Sequence, residues 1–106
     1  MGKMLMRQME EMQRKMERIQ TELGEERIEA TAGGGMVTAV ANGLAELKEV
    51  HIRPDVVDPD DVEMLEDLVL AAVTEALTHA KARMESRMGE ATSGLRLPGG
   101  LGGLLG

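Results

Sequence analysis

Four cations of the N-terminal segment, Lys3, Arg7, Arg14 and Arg18, recur at intervals that place them on one stripe of an α-helix. At 100° per residue from Leu5 they fall at about 160°, 200°, 180° and 220°, on the side of the helix away from its apolar residues. From Lys3 to Arg18 the stripe runs roughly 22 Å at 1.5 Å per residue, a length matching several phosphate spacings of a nucleic-acid duplex. Such a ridge can contact backbone phosphates without reading bases. A second reading of the same residues stays open. Glu10, Glu11, Glu17 and Glu22 lie three or four positions from these cations. Arg7 with Glu11, Glu10 with Arg14 and Arg18 with Glu22 would then be ordinary surface pairs. Lys15, and further along the chain Lys81, Arg83 and Arg87, are secondary candidates for phosphate contact.

Other groups able to do chemistry lead nowhere so specific. Met1, Met4, Met6, Met9, Met12 and Met16 are soft thioethers, the ligand type that copper(I) prefers. Three of them share a stripe with Leu5, Ile19 and Leu23, where methionine serves as an adaptable packing residue, and packing is the reading adopted. Asp55, Asp58, Asp60 and Asp61 cluster as if around a cation. An EF-hand loop begun at Asp55, however, puts Val57 and Pro59 at ligand positions 3 and 5, so that loop fails. His51 and His79 are far apart and the chain has no cysteine, which leaves no metal site to expect. No nucleophile elbow, phosphate-binding loop or dinucleotide fingerprint occurs; Gly33-Gly34-Gly35 lies between predicted strands and opens no helix. The sequence therefore predicts a protein that is not an enzyme and needs no cofactor or small-molecule substrate.

These residues need elements to position them. Leu5, Met9, Met12, Met16, Ile19 and Leu23 are spaced 4, 3, 4, 3, 4, a coiled-coil seam that predicts a helix over 3–23, stopped by Gly24. So narrow a stripe must pack against another helix, since an isolated amphipathic helix is marginal in water. Alternation then predicts strands over 27–32, 36–41 and 45–52, with a turn or bulge at Gly33-Gly34-Gly35 and a type I′ hairpin turn at Asn42-Gly43. Together they form a three-stranded antiparallel meander. Asp58-Pro59-Asp60-Asp61 predicts a helix start, with Asp58 as N-cap and Pro59 first in the helix. That helix is expected over 59–88, buried on more than one side at its centre, with Lys81, Arg83 and Arg87 near its negative end. The Gly- and Leu-rich residues 92–106 read as a flexible tail after a single domain over 1–91.

Composition bounds the class. One domain and a modest core are all that 106 residues allow, and so small a core often needs a second subunit. The absence of cysteine excludes disulfides and makes a reducing cytoplasm the expected compartment. No apolar run is long enough to span a membrane, and the N-terminus has no secretory pattern. Without Phe, Tyr or Trp the chain cannot stack bases on rings, the common device of single-strand and RNA binders. The net charge of −7 is uneven: residues 1–22 hold five basic and four acidic groups, 23–80 three and thirteen, 81–106 four and two. An acidic middle thus lies between mildly basic ends.

Five segments in this order carry a likeness. They are Ala32-Gly33-Gly34-Gly35-Met36-Val37, Val40-Ala41-Asn42-Gly43, Val50-His51-Ile52-Arg53-Pro54, the run from Glu63 to Ala72, and Gly94-Leu95-Arg96-Leu97-Pro98-Gly99. The chain resembles the YbaB/EbfC family of bacterial nucleoid-associated proteins over nearly its whole length. The resemblance implies an α+β, α-β-β-β-α subunit that forms a tweezer-like homodimer with projecting helical arms. It also implies binding of double-stranded DNA with weak sequence preference, a place in the nucleoid, and an influence on gene expression. Assembly beyond the dimer stays open. The rival expectation is a protein-interaction adaptor whose methionine seams clasp partner helices, with any DNA association indirect.

Overall fold

The computed structural model describes residues 2–92, and its elements follow the order helix, three strands, a 3-10 turn, helix. Helix α1 spans Gly2–Glu25, about 36 Å at 1.5 Å per residue. It passes through Gly24, where the sequence predicts a stop. That glycine needs no left-handed backbone; a Cβ there would rest in ordinary contact with Leu44 Cδ1.

Strands β1 (Ile28–Ala32), β2 (Val37–Ala41) and β3 (Leu47–Ile52) form an open antiparallel meander in that order. The turn from β1 to β2 uses Gly33, Gly34 and Gly35 at φ 63°, 68° and 94°, a left-handed run that glycine takes without a Cβ clash. Pairing is regular from Ile28↔Ala41 to Ala32↔Val37. Between β2 and β3 it slips at Val40/Ala41, where Lys48 is the extra residue of a bulge.

The second hairpin is not the expected type I′ turn. Neither Asn42 nor Gly43 has positive φ; Ala45 does, at 61°. Buried Asn42 builds the loop instead. Its Oδ1 accepts from the amides of Leu44 (3.0 Å) and Glu46 (3.1 Å), and its Nδ2 donates to Glu46 Oε1 (2.7 Å). Nδ2 also approaches the Gly24 carbonyl at 3.4 Å. Gly43 is required by contact, because its amide donates to the Leu23 carbonyl at 2.7 Å and a Cβ would sit 2.9 Å from that oxygen. The loop is longer than two residues because it seats the end of α1, which delays β3 to Leu47.

Helix α2 spans Val62–Thr92. It starts three residues later than the acidic run suggests. Asp58-Pro59-Asp60-Asp61 closes as a β-turn, with the Asp61 amide donating to the Asp58 carbonyl (3.0 Å) and the Asp60 amide to Asp58 Oδ1 (2.9 Å). Asp61 is the N-cap, its Oδ1 accepting from the Met64 amide at 3.3 Å. At the other end α2 runs through Gly89 to Thr92, so its last turn holds no basic residue and Lys81, Arg83 and Arg87 lie well inside it. Residues 93–106, the rest of the expected tail, lie outside the described residues.

Alanine decides how α2 meets the sheet. Ala72, Ala76 and Ala80, one helical turn apart, press on Ala30, Ala39 and Ala41 with Val37, all buried. Small side chains on both surfaces let the helix lie close, and they also make the core thin. Leu65, Val69, Val73 and Leu77 flank it, only partly covered. A second cluster, Ile19, Leu23 and Ala91 with Met16, Met84, Met88 and Leu44, fastens the C-terminal half of α1 to the end of α2.

Candidate nucleic-acid interface

Helix α1 divides at Met16. Toward its C-terminus the seam does what the heptads predict, with Ile19 and Leu23 buried, but the partner helix is α2 of the same subunit. Toward its N-terminus the helix projects beyond the described end of α2. There Leu5 and Met9 are 60% and 63% exposed, and Met12 is half-buried.

All four ridge cations, Lys3, Arg7, Arg14 and Arg18, are exposed on this helix, as is Lys15 beside them. Among the described residues none of them lies within ion-pair distance of a carboxylate. The surface pairs that the i, i+4 spacing allows, Arg7 with Glu11, Glu10 with Arg14 and Arg18 with Glu22, are not formed. For Arg18 the reason is visible: Glu22 accepts from Arg87 Nη2 on the neighbouring helix.

Arg83 and Arg87 have a different place. Arg83 grips Glu26 with both ends of its guanidinium, Nη2 to Oε1 at 2.9 Å and Nε to Oε2 at 3.0 Å. That hydrogen bonding holds the Glu26 carboxyl below its ordinary value of 4.5, aided by the charges of Arg83 and Arg87, and raises Arg83 in turn. The two arginines brace α1 against α2, and a phosphate could use them only by displacing carboxylates. Lys81 is exposed and unpaired among the described residues. Sequence reasoning missed the brace because its partners lie 57 and 65 residues apart. Where the helices meet, Lys15, Arg18 and Arg87 share a cleft of about 300 Å³ with Glu22 and Glu90.

The sheet face turned away from α2 neutralises itself. Arg27 bonds both Glu29, at 2.8 Å, and Glu49, and His51 Nε2 lies 2.8 Å from Glu49 Oε1. These contacts, His51 first and Arg27 second, lower the Glu49 carboxyl, while Glu29 and Glu49 raise Arg27. Of the acids from Asp55 to Asp67 around the start of α2, Asp58 and Asp61 serve the turn and cap described above, and Asp55 pairs with Arg53. Among the described residues no group of three His, Asp or Glu side chains is arranged to hold a metal. No described helix is long and apolar enough to cross a membrane.

A charged arm on an open three-stranded sheet, backed by one long helix, defines a small α-β-β-β-α protein whose distinctive surface is a projecting cationic ridge. Residues 1–95 match the model of the YbaB/EbfC DNA-binding family, and the chain belongs to that family. It is 54% identical over 100 residues to a nucleoid-associated protein of Acetivibrio thermocellus, covering 94% of this chain and 86% of that one. A nucleoid-associated protein of Bacillus cereus is 55% identical over 86 residues, covering 81% and 79% of the two chains. In fold the chain is similar to a crystal structure of an uncharacterized protein from Helicobacter pylori, with a TM-score of 0.68 at 24% identity, over 87% of this chain and 94% of that one.

Proposed function

We propose that this protein is a nucleoid-associated homodimer that binds double-stranded DNA through phosphate contacts of Lys3, Arg7, Arg14 and Arg18, with weak sequence preference. The observation that carries the reading is the state of that ridge: four exposed cations on one stripe, with no carboxylate in contact among the described residues. Cations not held by a carboxylate can release counterions from DNA, which is the main source of sequence-independent affinity. Family membership and the names of the relatives support the same partner and a place in the nucleoid. From there the protein organises the nucleoid and influences gene expression. Lys15 and Lys81 are auxiliary contacts; Arg83 and Arg87 serve the brace.

The dimer is supported by what one subunit leaves uncovered. Ile52, Leu65, Val69, Leu70 and Val73 line an open apolar groove of about 430 Å³ where α2 overhangs β3. Leu47 and Val50 of the same edge strand are partly exposed as well. An apolar edge strand of this kind calls for a second subunit to cover it. Two arms carried by one such dimer give the tweezer.

Gel-shift titration on random-sequence duplex DNA tests the reading. Affinity falls steeply as salt rises from about 50 to 200 mM, and replacing the four ridge cations by alanine flattens the salt slope by roughly three to four for each arm in contact with DNA, or roughly seven for the two arms of a dimer. The dimer persists in that variant, as read by sedimentation. No shift at micromolar protein would sink the DNA reading in favour of the adaptor, whose arms clasp other proteins and reach DNA indirectly.

A further inference from the structure

Helix α1 meets α2 along one half of its seam and carries the same seam past it. Ile19 and Leu23 are buried against the end of α2, whereas Leu5, Gln8, Met9, Met12 and Gln13 line an open groove of about 470 Å³. The residues bordering the seam change at the same place. On the covered half Glu22 borders it, and α2 answers with Arg87. On the open half, with Met9 and Met12 as heptad positions a and d, the bordering e and g positions are Met6, Gln8 and Gln13. The charges of that stretch, Lys3, Arg7, Glu10, Glu11 and Arg14, all fall at b, c and f, away from the seam. A seam of this spacing fits another helix, and uncharged borders admit an identical one without like charges meeting.

We propose that the open half of α1 pairs, antiparallel, with the open half of α1 from a second copy of this chain. The direction follows from where the bodies sit. From Ile19 onward α2 and Leu44 occupy the seam side of α1, so parallel arms would drive two bodies into the same space. Those bodies are also acidic, with three basic against thirteen acidic groups over residues 23–80. Antiparallel arms put them at opposite ends. The register follows from the heptads, because each layer of an antiparallel pair joins an a position to a d position. Met9 of each copy then lies on Met12 of the other, and Leu5 lies on Met16, where α2 begins to cover the seam. Gln8 faces Lys15 and Met6 faces Gln13, so no like charges oppose. The overlap from Leu5 to Met16 is about 17 Å, short enough to make a weak, concentration-dependent contact. Methionine adapts its shape to what it meets, which suits a seam that pairs and parts. The cationic ridge, on the far side of α1, stays open, and the pairing does not depend on DNA binding. Joining dimers into larger assemblies, by contrast, rests on the homodimer proposed above.

Sedimentation of the full chain over a range of about 10 to 500 µM tests the pairing, since mass action favours the larger species at the upper end. The native chain is expected to reach roughly twice the mass of a variant with Met9→Glu and Met12→Glu, which puts charge into the seam. Met9 is exposed and Met12 half-buried, both beyond the joint with α2, so the unfolding midpoint of that variant should not move. Met9→Leu with Met12→Leu keeps the seam apolar and should keep the larger species. Equal masses for the native chain and the glutamate variant overturn the proposal and leave the seam to helices of other proteins. If the glutamate variant falls to a monomer, arm pairing holds and the homodimer through the groove beside β3 is what fails. Direction is read separately. The native chain has no cysteine, so a Met9→Cys chain mixed with a Met12→Cys chain reports which residues meet. Disulfides between positions 9 and 12 are expected in several-fold excess over bridges between like positions. An excess of like-with-like bridges, the mark of parallel arms, overturns the antiparallel arrangement.

Discussion

In the body of the molecule each described arginine has a carboxylate in contact. Arg27 holds Glu29 and Glu49, Arg53 holds Asp55, and Arg83 and Arg87 hold Glu26 and Glu22. In the arm, between Lys3 and Arg18, five cations stand among three glutamates and none is in contact with one. Apolar residues divide the same way: Ile19 and Leu23 are buried where α1 crosses α2, and Leu5 and Met9 on the same stripe are open. One helix thus changes character within its length. The half that touches the body has its apolar residues buried and Glu22 paired by the subunit itself, with Arg18 left open, and the half beyond it presents charge and apolar surface outward. Stability and recognition should therefore be separable by residue number.

Substitutions on either side of that division put it to the test. Leu23→Ala removes a fully buried side chain from the joint and is expected to lower unfolding free energy by about 2–5 kcal/mol in a urea titration. Alanine at the four ridge positions should move that midpoint by no more than about 0.5 kcal/mol apiece, as for other exposed sites, while it removes DNA affinity. A ridge variant that unfolds as easily as Leu23→Ala would break the comparison. Gly43→Ala drives a Cβ to 2.9 Å from the Leu23 carbonyl and 2.7 Å from its Cδ2, so the loop must shift. A loss of roughly 1–3 kcal/mol is expected, typical of overpacking, with DNA affinity per folded molecule unchanged.

The smallest effect concerns the brace. Because Arg83 holds the folded Glu26 carboxyl below 4.5, the folded state binds fewer protons there than the unfolded chain does. Its contribution is complete above the unfolded value and is lost as pH falls through the folded one. Acidification below about 4.5 should loosen α1 on α2, seen as faster amide exchange in residues 16–25. Glu49 is lowered in the same direction by His51 and Arg27, so Glu26→Gln isolates the brace: that part of the pH profile should flatten.

Much of the fold was legible in the sequence because periodicity reports it directly. The 4, 3, 4, 3, 4 spacing on α1, the alternation on the strands and the acid-Pro signal before α2 each name an element, and the order α-β-β-β-α follows. Local exceptions came from contacts with distant residues. Asn42-Gly43 has the composition of a type I′ turn, but Asn42 spends its side chain on Gly24, Leu44 and Glu46, and Gly43 lies against Leu23. Asp58 and Asp61 both suit an N-cap, and the β-turn over Asp58–Asp61 gives the role to Asp61.

For the candidate interface, the opening stripe of cations was set by the sequence alone, because residues at helical spacing share a side of the helix wherever the helix goes. The availability of those cations was not. Spacing permits Arg18 to pair with Glu22, and it gives Arg83 and Arg87 the look of free cations near a helix end. Only the antiparallel crossing of α1 and α2 brings Arg87 to Glu22 and Arg83 to Glu26, which leaves Arg18 open and commits the other two. The reason is range: side-chain periodicity depends on the local backbone, whereas a carboxylate's partner depends on which helix lies across it.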